Sequence, residues 1–247
     1  MRWCAALLLI GALLAPAASA QQAERRVALV IGNAAYKEAP LTNPVNDARA
    51  IAAKLAKLGY QVEKHENLGQ REMTRAVTKF GDALRRAGGH ARFYYAGHGM
   101  QVEGRNYLIP VDAEIATENA VISEAVPVEI VTQQLDKAGK GVNIVVLDAC
   151  RNNPFERRFR GGARGLALID APSGTLIAYA TAPGRVAADG SEANGVYTGE
   201  LLKVMDEPGL KVEDVFKRVR ARVTERTGGA QTPWETSSIT GDFYFVP

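Results

Sequence analysis

Cysteine is scarce in this chain: two residues in 247, at Cys4 and Cys150. Histidine is hardly commoner, with His65, His90 and His98 the only three. No Cys/His pair shows zinc-finger spacing, and no acidic cluster reads as a calcium loop. Long hydrophobic runs are missing too. The apolar stretch Ala5–Leu14 is too short to span a bilayer comfortably. Charge of one sign is not in excess, the formal net value being +3, which is too small to argue for nucleic acid. There is no Pro/Ser-rich linker, low-complexity tract or internal repeat, so a second folded domain is not expected.

The first twenty residues read as a secretory signal. Arg2 supplies the positive start, Ala5–Leu14 the short apolar core and Ala18-Ser19-Ala20 the small-x-small cleavage site. The competing reading is an uncleaved anchor. Residues 21–247 are then one domain, exported to the periplasm or beyond, with no membrane span once the signal is removed. Cys4 leaves with the signal and Cys150 remains alone. A single thiol in an oxidising compartment closes no internal disulfide, so it is a reactive group or a link to another chain.

Strand patterns alternate with helical ones, which argues for an α/β fold: a mostly parallel sheet of about six strands with helices on both faces. Buried strands are expected at 27–31, 60–64, 91–96, 142–147 and 174–180. Helices are expected from 43 to Gly59, over 70–87 and 127–138, and near 196–205 and 211–226. A hairpin turns at Glu103-Gly104-Arg105. Phe243–Val246 reads as a last edge strand.

Two segments carry the chemistry. Tyr94-Tyr95-Ala96-Gly97-His98-Gly99 ends a strand in an imidazole, and Leu147-Asp148-Ala149-Cys150-Arg151-Asn152 ends one in a thiol. A thiol becomes a good nucleophile as the thiolate, and a neighbouring imidazole makes it at neutral pH. Two strands of one parallel sheet would bring both groups to its carboxyl edge, where open α/β proteins place their sites. Either residue alone has a plainer reading: Cys150 as a small buried hydrophobe, His98 as a turn residue between two glycines. His65 and His90 fall in loop-like places and are not expected to be catalytic. No side chain stands out as a third member to orient His98. After Cys150 comes a basic, glycine-containing stretch with Arg151, Arg157, Arg158, Arg160 and Arg164, readable as a functional loop or as plain solvated surface.

These segments resemble the caspase and metacaspase group of cysteine peptidases, whose signature sets a histidine about 50 residues before the cysteine. Asp148 and Asn152 stand where caspases have Gln and Gly. Asp148 is what metacaspases and their bacterial relatives carry. Ala96 departs from the Ser of many metacaspases. The resemblance extends from about residue 25 through Pro233-Trp234-Glu235. It implies a caspase-like three-layer sandwich and a cysteine endopeptidase with His98 and Cys150 as catalytic dyad. Gly99 and Cys150 would supply oxyanion-hole amides. Asp148 and Asp47 would line the pocket for the residue before the cut. Two carboxylates there favour cleavage after Arg or Lys, so the partners are basic peptides or proteins. The basic loop then offers self-cleavage sites at Arg158, Arg160 and Arg164. Trp234 reads as the wall of a substrate pocket or, more plainly, as a core or loop anchor. The plainer readings of the acids are a helix-opening carboxylate for Asp47 and a structural acid for Asp148. No cofactor is expected; some metacaspases respond to calcium, without a matching acidic cluster here. A monomer is expected. The rival functions are a catalytically silent caspase-like binding module and a thiol enzyme of other chemistry, such as a transpeptidase.

Overall fold

The computed structural model describes residues 26–138, 141–149, 165–183, 185, 187 and 192–247. Its centre is a run of apolar strands too hydrophobic to face water on either side: β1 (Arg26–Gly32), β3 (Ala91–Ala96), β7 (Asn143–Asp148) and β8 (Thr175–Tyr179). Nearly every residue in them is buried. With β2 (Tyr60–Glu66) and β9 (Trp234–Ser237) they form one sheet in the order β2-β1-β3-β7-β8-β9. All neighbours pair in parallel except β9, which runs antiparallel to β8.

Side-chain alternation sorts the strands' two faces. Tyr94, Ala96, Ile144 and Val146 pack under α1 (Pro44–Lys57), α5 (Val196–Val204) and α6 (Val212–Arg226). Phe93, Tyr95, Val145 and Leu147 pack under α2 (Gln70–Ala87) and α4 (Val128–Ala138). The periodicity that makes α2 a helix, Met73–Val77–Phe80–Leu84, is also its buried stripe. Each such side chain contributes roughly 1.5–3 kcal/mol of burial free energy, which holds both layers on the sheet. The three-layer α/β sandwich expected from the sequence is therefore observed. Among the described residues no helix is long and apolar enough to cross a membrane.

The chain steps from β1 outward to β2, then returns past β1 to β3 and continues to β7. The strand order therefore reverses between β1 and β3, and the carboxyl ends of strands at such a reversal are the usual ligand position in open α/β sheets. A small antiparallel sheet, β4 (Gly99–Val102), β5 (Arg105–Leu108) and β6 (Val126–Pro127), flanks that edge. Its hairpin turns where expected, with Glu103 and Gly104 both at positive φ (51° and 76°). The short helix α3 (Glu118–Glu124) and the two-residue β6 were not anticipated. Neither is long enough to show a period in the sequence.

The C-terminus corrects the sequence reading. Phe243–Val246 is not an edge strand. Phe243 and Phe245 are both 5% exposed, with rings 5.6 Å apart. The tail's backbone meets the chain around α6: Val212 N–H donates to Phe243 O (2.8 Å) and Gly209 N–H to Val246 O (3.0 Å). Alternating aromatics looked like a strand, but they are two wedges into the core. The edge strand is instead β9, whose Trp-Glu-Thr-Ser sequence is polar as unpaired edges often are. Trp234 is accordingly not a core anchor. It is 41% exposed, with the Arg220 guanidinium 5.5 Å from its ring.

Candidate active site

His98 follows directly on β3 and is fully buried. Its main chain is held on both sides. The His98 N–H donates to the Tyr36 hydroxyl (2.9 Å). Its carbonyl accepts from the Tyr95 hydroxyl (2.8 Å) and from Ile109 N–H (3.0 Å). The ring lies 4.4 Å from the Tyr36 ring, tilted 54°. Nε2 is 2.8 Å from the Ala39 carbonyl oxygen. An oxygen of that kind only accepts, so Nε2 carries the proton and Nδ1 is the basic nitrogen of the neutral ring. The orienting group that no side chain in the sequence supplied is thus a backbone carbonyl. It left no trace in the sequence because every residue owns one. Ala39 presents it from a left-handed backbone (φ 51°), a conformation that costs a non-glycine residue about 1–2 kcal/mol.

The flanking glycines have separate reasons. A Cβ on Gly97 would stand 2.6 Å from both the Tyr36 and the Tyr95 hydroxyls. A Cβ on Gly99 would stand 2.9 Å from Ala149 Cβ and 3.3 Å from Leu166 Cδ2. The exit of β7 therefore presses against the residue after His98, and Gly97 N–H reaches Asp148 O at 3.3 Å. Cys150 itself, and Arg158, Arg160 and Arg164 with it, lie outside the described residues. Ala149 and Leu166, on either side of the basic segment in the sequence, both lie beside Gly99.

Asp148 and Asp47 come to a common place. Asp148 is 1% exposed, opposite Ala96 in the β3–β7 register. Its Oδ2 accepts from Thr198 Oγ1 at 2.7 Å. With that proton committed, Tyr94 donates its own to Thr198 Oγ1 across 2.6 Å. Asp47, fully buried, accepts through Oδ1 from Asn194 Nδ2 and from Gly195 N–H, both at 2.9 Å. Gly195 caps α5 and Thr198 lies in its first turn. Both carboxylates thus converge on the amino end of one helix, whose positive dipole end favours anions. Asp47 lies in the first turn of α1, as its plainer reading had it, but its carboxylate serves α5 instead. Burial first, and the Asp148 charge second, push the neighbouring Tyr197 phenol well above its ordinary value, so it stays protonated.

The other two histidines are structural. His65 lies within β2, not in a loop, with Nε2 2.9 Å from Glu63 Oε1. His90 Nδ1 accepts from Val142 N–H (2.9 Å), and its ring meets Phe243 edge-on at 5.1 Å. Among the described residues no three His, Cys, Asp or Glu side chains are grouped to hold a metal ion.

A buried, oriented imidazole and two buried carboxylates thus lie at the carboxyl edge of a helix-covered parallel sheet, the usual place for a ligand site in an α/β protein. Comparison with known proteins assigns the chain more narrowly. Residues 25–244 match the caspase domain model, and the chain belongs to that family. It is 30% identical over 192 residues to the human mucosa-associated lymphoid tissue lymphoma translocation protein 1, a stretch covering 75% of this chain and 22% of that protein. The mouse homologue of that protein matches at the same identity, with 21% of its length covered. The chain thus spans about a fifth of the curated relatives it matches.

Proposed function

We propose that this chain is an exported cysteine endopeptidase that cuts after Arg or Lys through a Cys150/His98 dyad. One observation carries most of the reading. The His98 ring is fixed with Nδ1 as its base, while Ala149, covalently next to Cys150, lies against Gly99. Nδ1 takes the Cys150 proton and the thiolate attacks the scissile carbonyl carbon. The Gly99 and Cys150 amides receive the developing oxyanion. Collapse breaks the C–N bond, and the imidazolium returns the proton to the leaving amine. Water, deprotonated by the same nitrogen, hydrolyses the thioester and regenerates the thiol.

Substrate preference rests on Asp148 and Asp47. Two carboxylates buried at one helix terminus suit a guanidinium or ammonium group, and Arg can be held bidentately. Arg158, Arg160 and Arg164 are the proposed self-cleavage sites, because they lie in sequence between Ala149 and Leu166, which both neighbour Gly99. The signal-like residues 1–20 support export, leaving residues 21–247 as a monomeric peptidase that needs no cofactor. A positional peptide library digested by the parent and by Cys150→Ala tests activity, nucleophile and preference together. Cleavage after Arg and Lys by the parent alone is the expected result. No turnover by either protein would favour a silent binding module, and turnover by both would remove Cys150 from the mechanism.

A further inference from the structure

We infer that Tyr36 is a positioning residue for His98, acting on the imidazole through its backbone as well as its ring; this rests on the peptidase reading of the site. The turn after β1 delivers two contacts to one histidine. The Ala39 carbonyl fixes Nε2 (2.8 Å), and three residues earlier Tyr36 fixes the main chain and packs on the ring.

Proton accounting isolates what the hydroxyl does. Tyr36 donates to the Ile109 carbonyl (3.1 Å) and accepts from His98 N–H (2.9 Å). Without the hydroxyl, the Ile109 carbonyl still accepts from Asn33 Nδ2 (3.3 Å) and lies 2.9 Å from the Tyr95 hydroxyl. The His98 carbonyl still accepts from Ile109 N–H. The His98 N–H loses its 2.9 Å bond to the hydroxyl, at a residue that is fully buried. Losing a hydrogen bond at a buried donor is costly, and this donor is on the residue that carries the base. The close fit at Gly97, where a Cβ would collide with both hydroxyls, shows how little room the clamp leaves. Shifts of about 1 Å at a catalytic group cost on the order of 100-fold in rate. Binding of the substrate's basic side chain at Asp148 and Asp47 is separate from this clamp, so the loss falls on kcat and spares KM.

The test uses Tyr36→Phe in the full chain, with Lys37→Ala as control because Lys37 is an exposed neighbour paired to Glu114 across the surface. Steady-state kinetics on an Arg-containing fluorogenic peptide are expected to show kcat lowered about 10- to 100-fold, KM within about twofold, and Lys37→Ala like the parent. A kcat within about twofold of the parent overturns the inference. Ring 15N correlation spectra of His98 give a second readout that does not need turnover. The parent is expected to show the single Nε2–H tautomer and Tyr36→Phe a mixture. The same single tautomer in both proteins overturns the inference. A parent that hydrolyses nothing counts against the peptidase reading alone, and the spectra still decide the role of Tyr36.

Discussion

The two ends of β3 each bury a basic side chain, and they treat it in opposite ways. At the amino end Arg92 is 3% exposed. Its Nη1 donates to the Ala91 and Val142 carbonyls (2.7 and 2.8 Å). The rings of Phe243, Tyr60 and Phe245 surround its guanidinium at 4.3, 5.2 and 5.5 Å. No carboxylate among the described residues pairs with it. Burial pulls its pKa down to about 10, and it remains charged at neutral pH. At the carboxyl end His98 is held by a turn, a hydroxyl and a carbonyl, with two buried carboxylates at the helix beyond. Arg92 meets only permanent neighbours: carbonyls and π faces, which satisfy a cation and can do nothing else with it. At the other end the neighbours are a hydroxyl, a carbonyl and, at the helix beyond, two carboxylates. Burial of a charge is common to both ends, so burial alone does not mark the site. The chemistry of what surrounds it does.

Breaking the carboxyl end should abolish turnover in the folded protein. Cys150→Ala and His98→Ala are each expected to lower kcat/KM per folded molecule by about 10³- to 10⁴-fold, as steady-state kinetics will show with the folded fraction set by thermal melts. Asp148→Asn comes next. It leaves a hydrogen-bond acceptor for Thr198 but removes the charge, and kcat/KM for Arg peptides should fall about 100-fold. The size of the loss for neutral peptides measures how much of the effect belongs to recognition.

Breaking the amino end should do the reverse. Arg92→Ala removes the aromatic cage's occupant and opens a cavity, with the relief of a buried charge offsetting part of the loss. A net cost of about 2 kcal/mol is expected, or about 4–8 °C in the melting midpoint. The kcat/KM per folded molecule should stay within about twofold. A loss of activity in the folded fraction would mean that the two ends are coupled along β3. The smallest effect belongs to the surface. The Arg49 guanidinium, bidentate on Glu66, and Lys64 beside it hold that carboxyl down to about 2. Its folded value is depressed, so its contribution to stability is present above pH 4.5 and is lost as the pH falls toward about 2. The melting difference between the parent and Glu66→Gln should therefore be small and constant above that pH and close below it.

Much of this was legible in the sequence because it lies in periodic or punctuated segments. The stripe in α2, the buried runs of β1 and β3 and the glycines that end α1 and α2 all state their own structure. What escaped notice is contact made by backbone or by distant chain. The Ala39 carbonyl has no sequence signature. Tyr36 belongs to no periodic segment or motif. The turn of Asp47 from its own helix to α5, 147 positions away at Asn194, needs the tertiary fold. Phe243 and Phe245 misled for a related reason: alternation is written identically for a strand and for two wedges, and the cation they enclose lies far away in sequence.

The most direct measurement is covalent labelling of the folded chain with an arginyl chloromethyl ketone, mapped by peptide mass spectrometry. A single adduct on Cys150 is expected, formed rapidly by the parent and only slowly by His98→Ala. No adduct on Cys150, or one that forms equally fast without His98, would contradict the Cys150/His98 dyad.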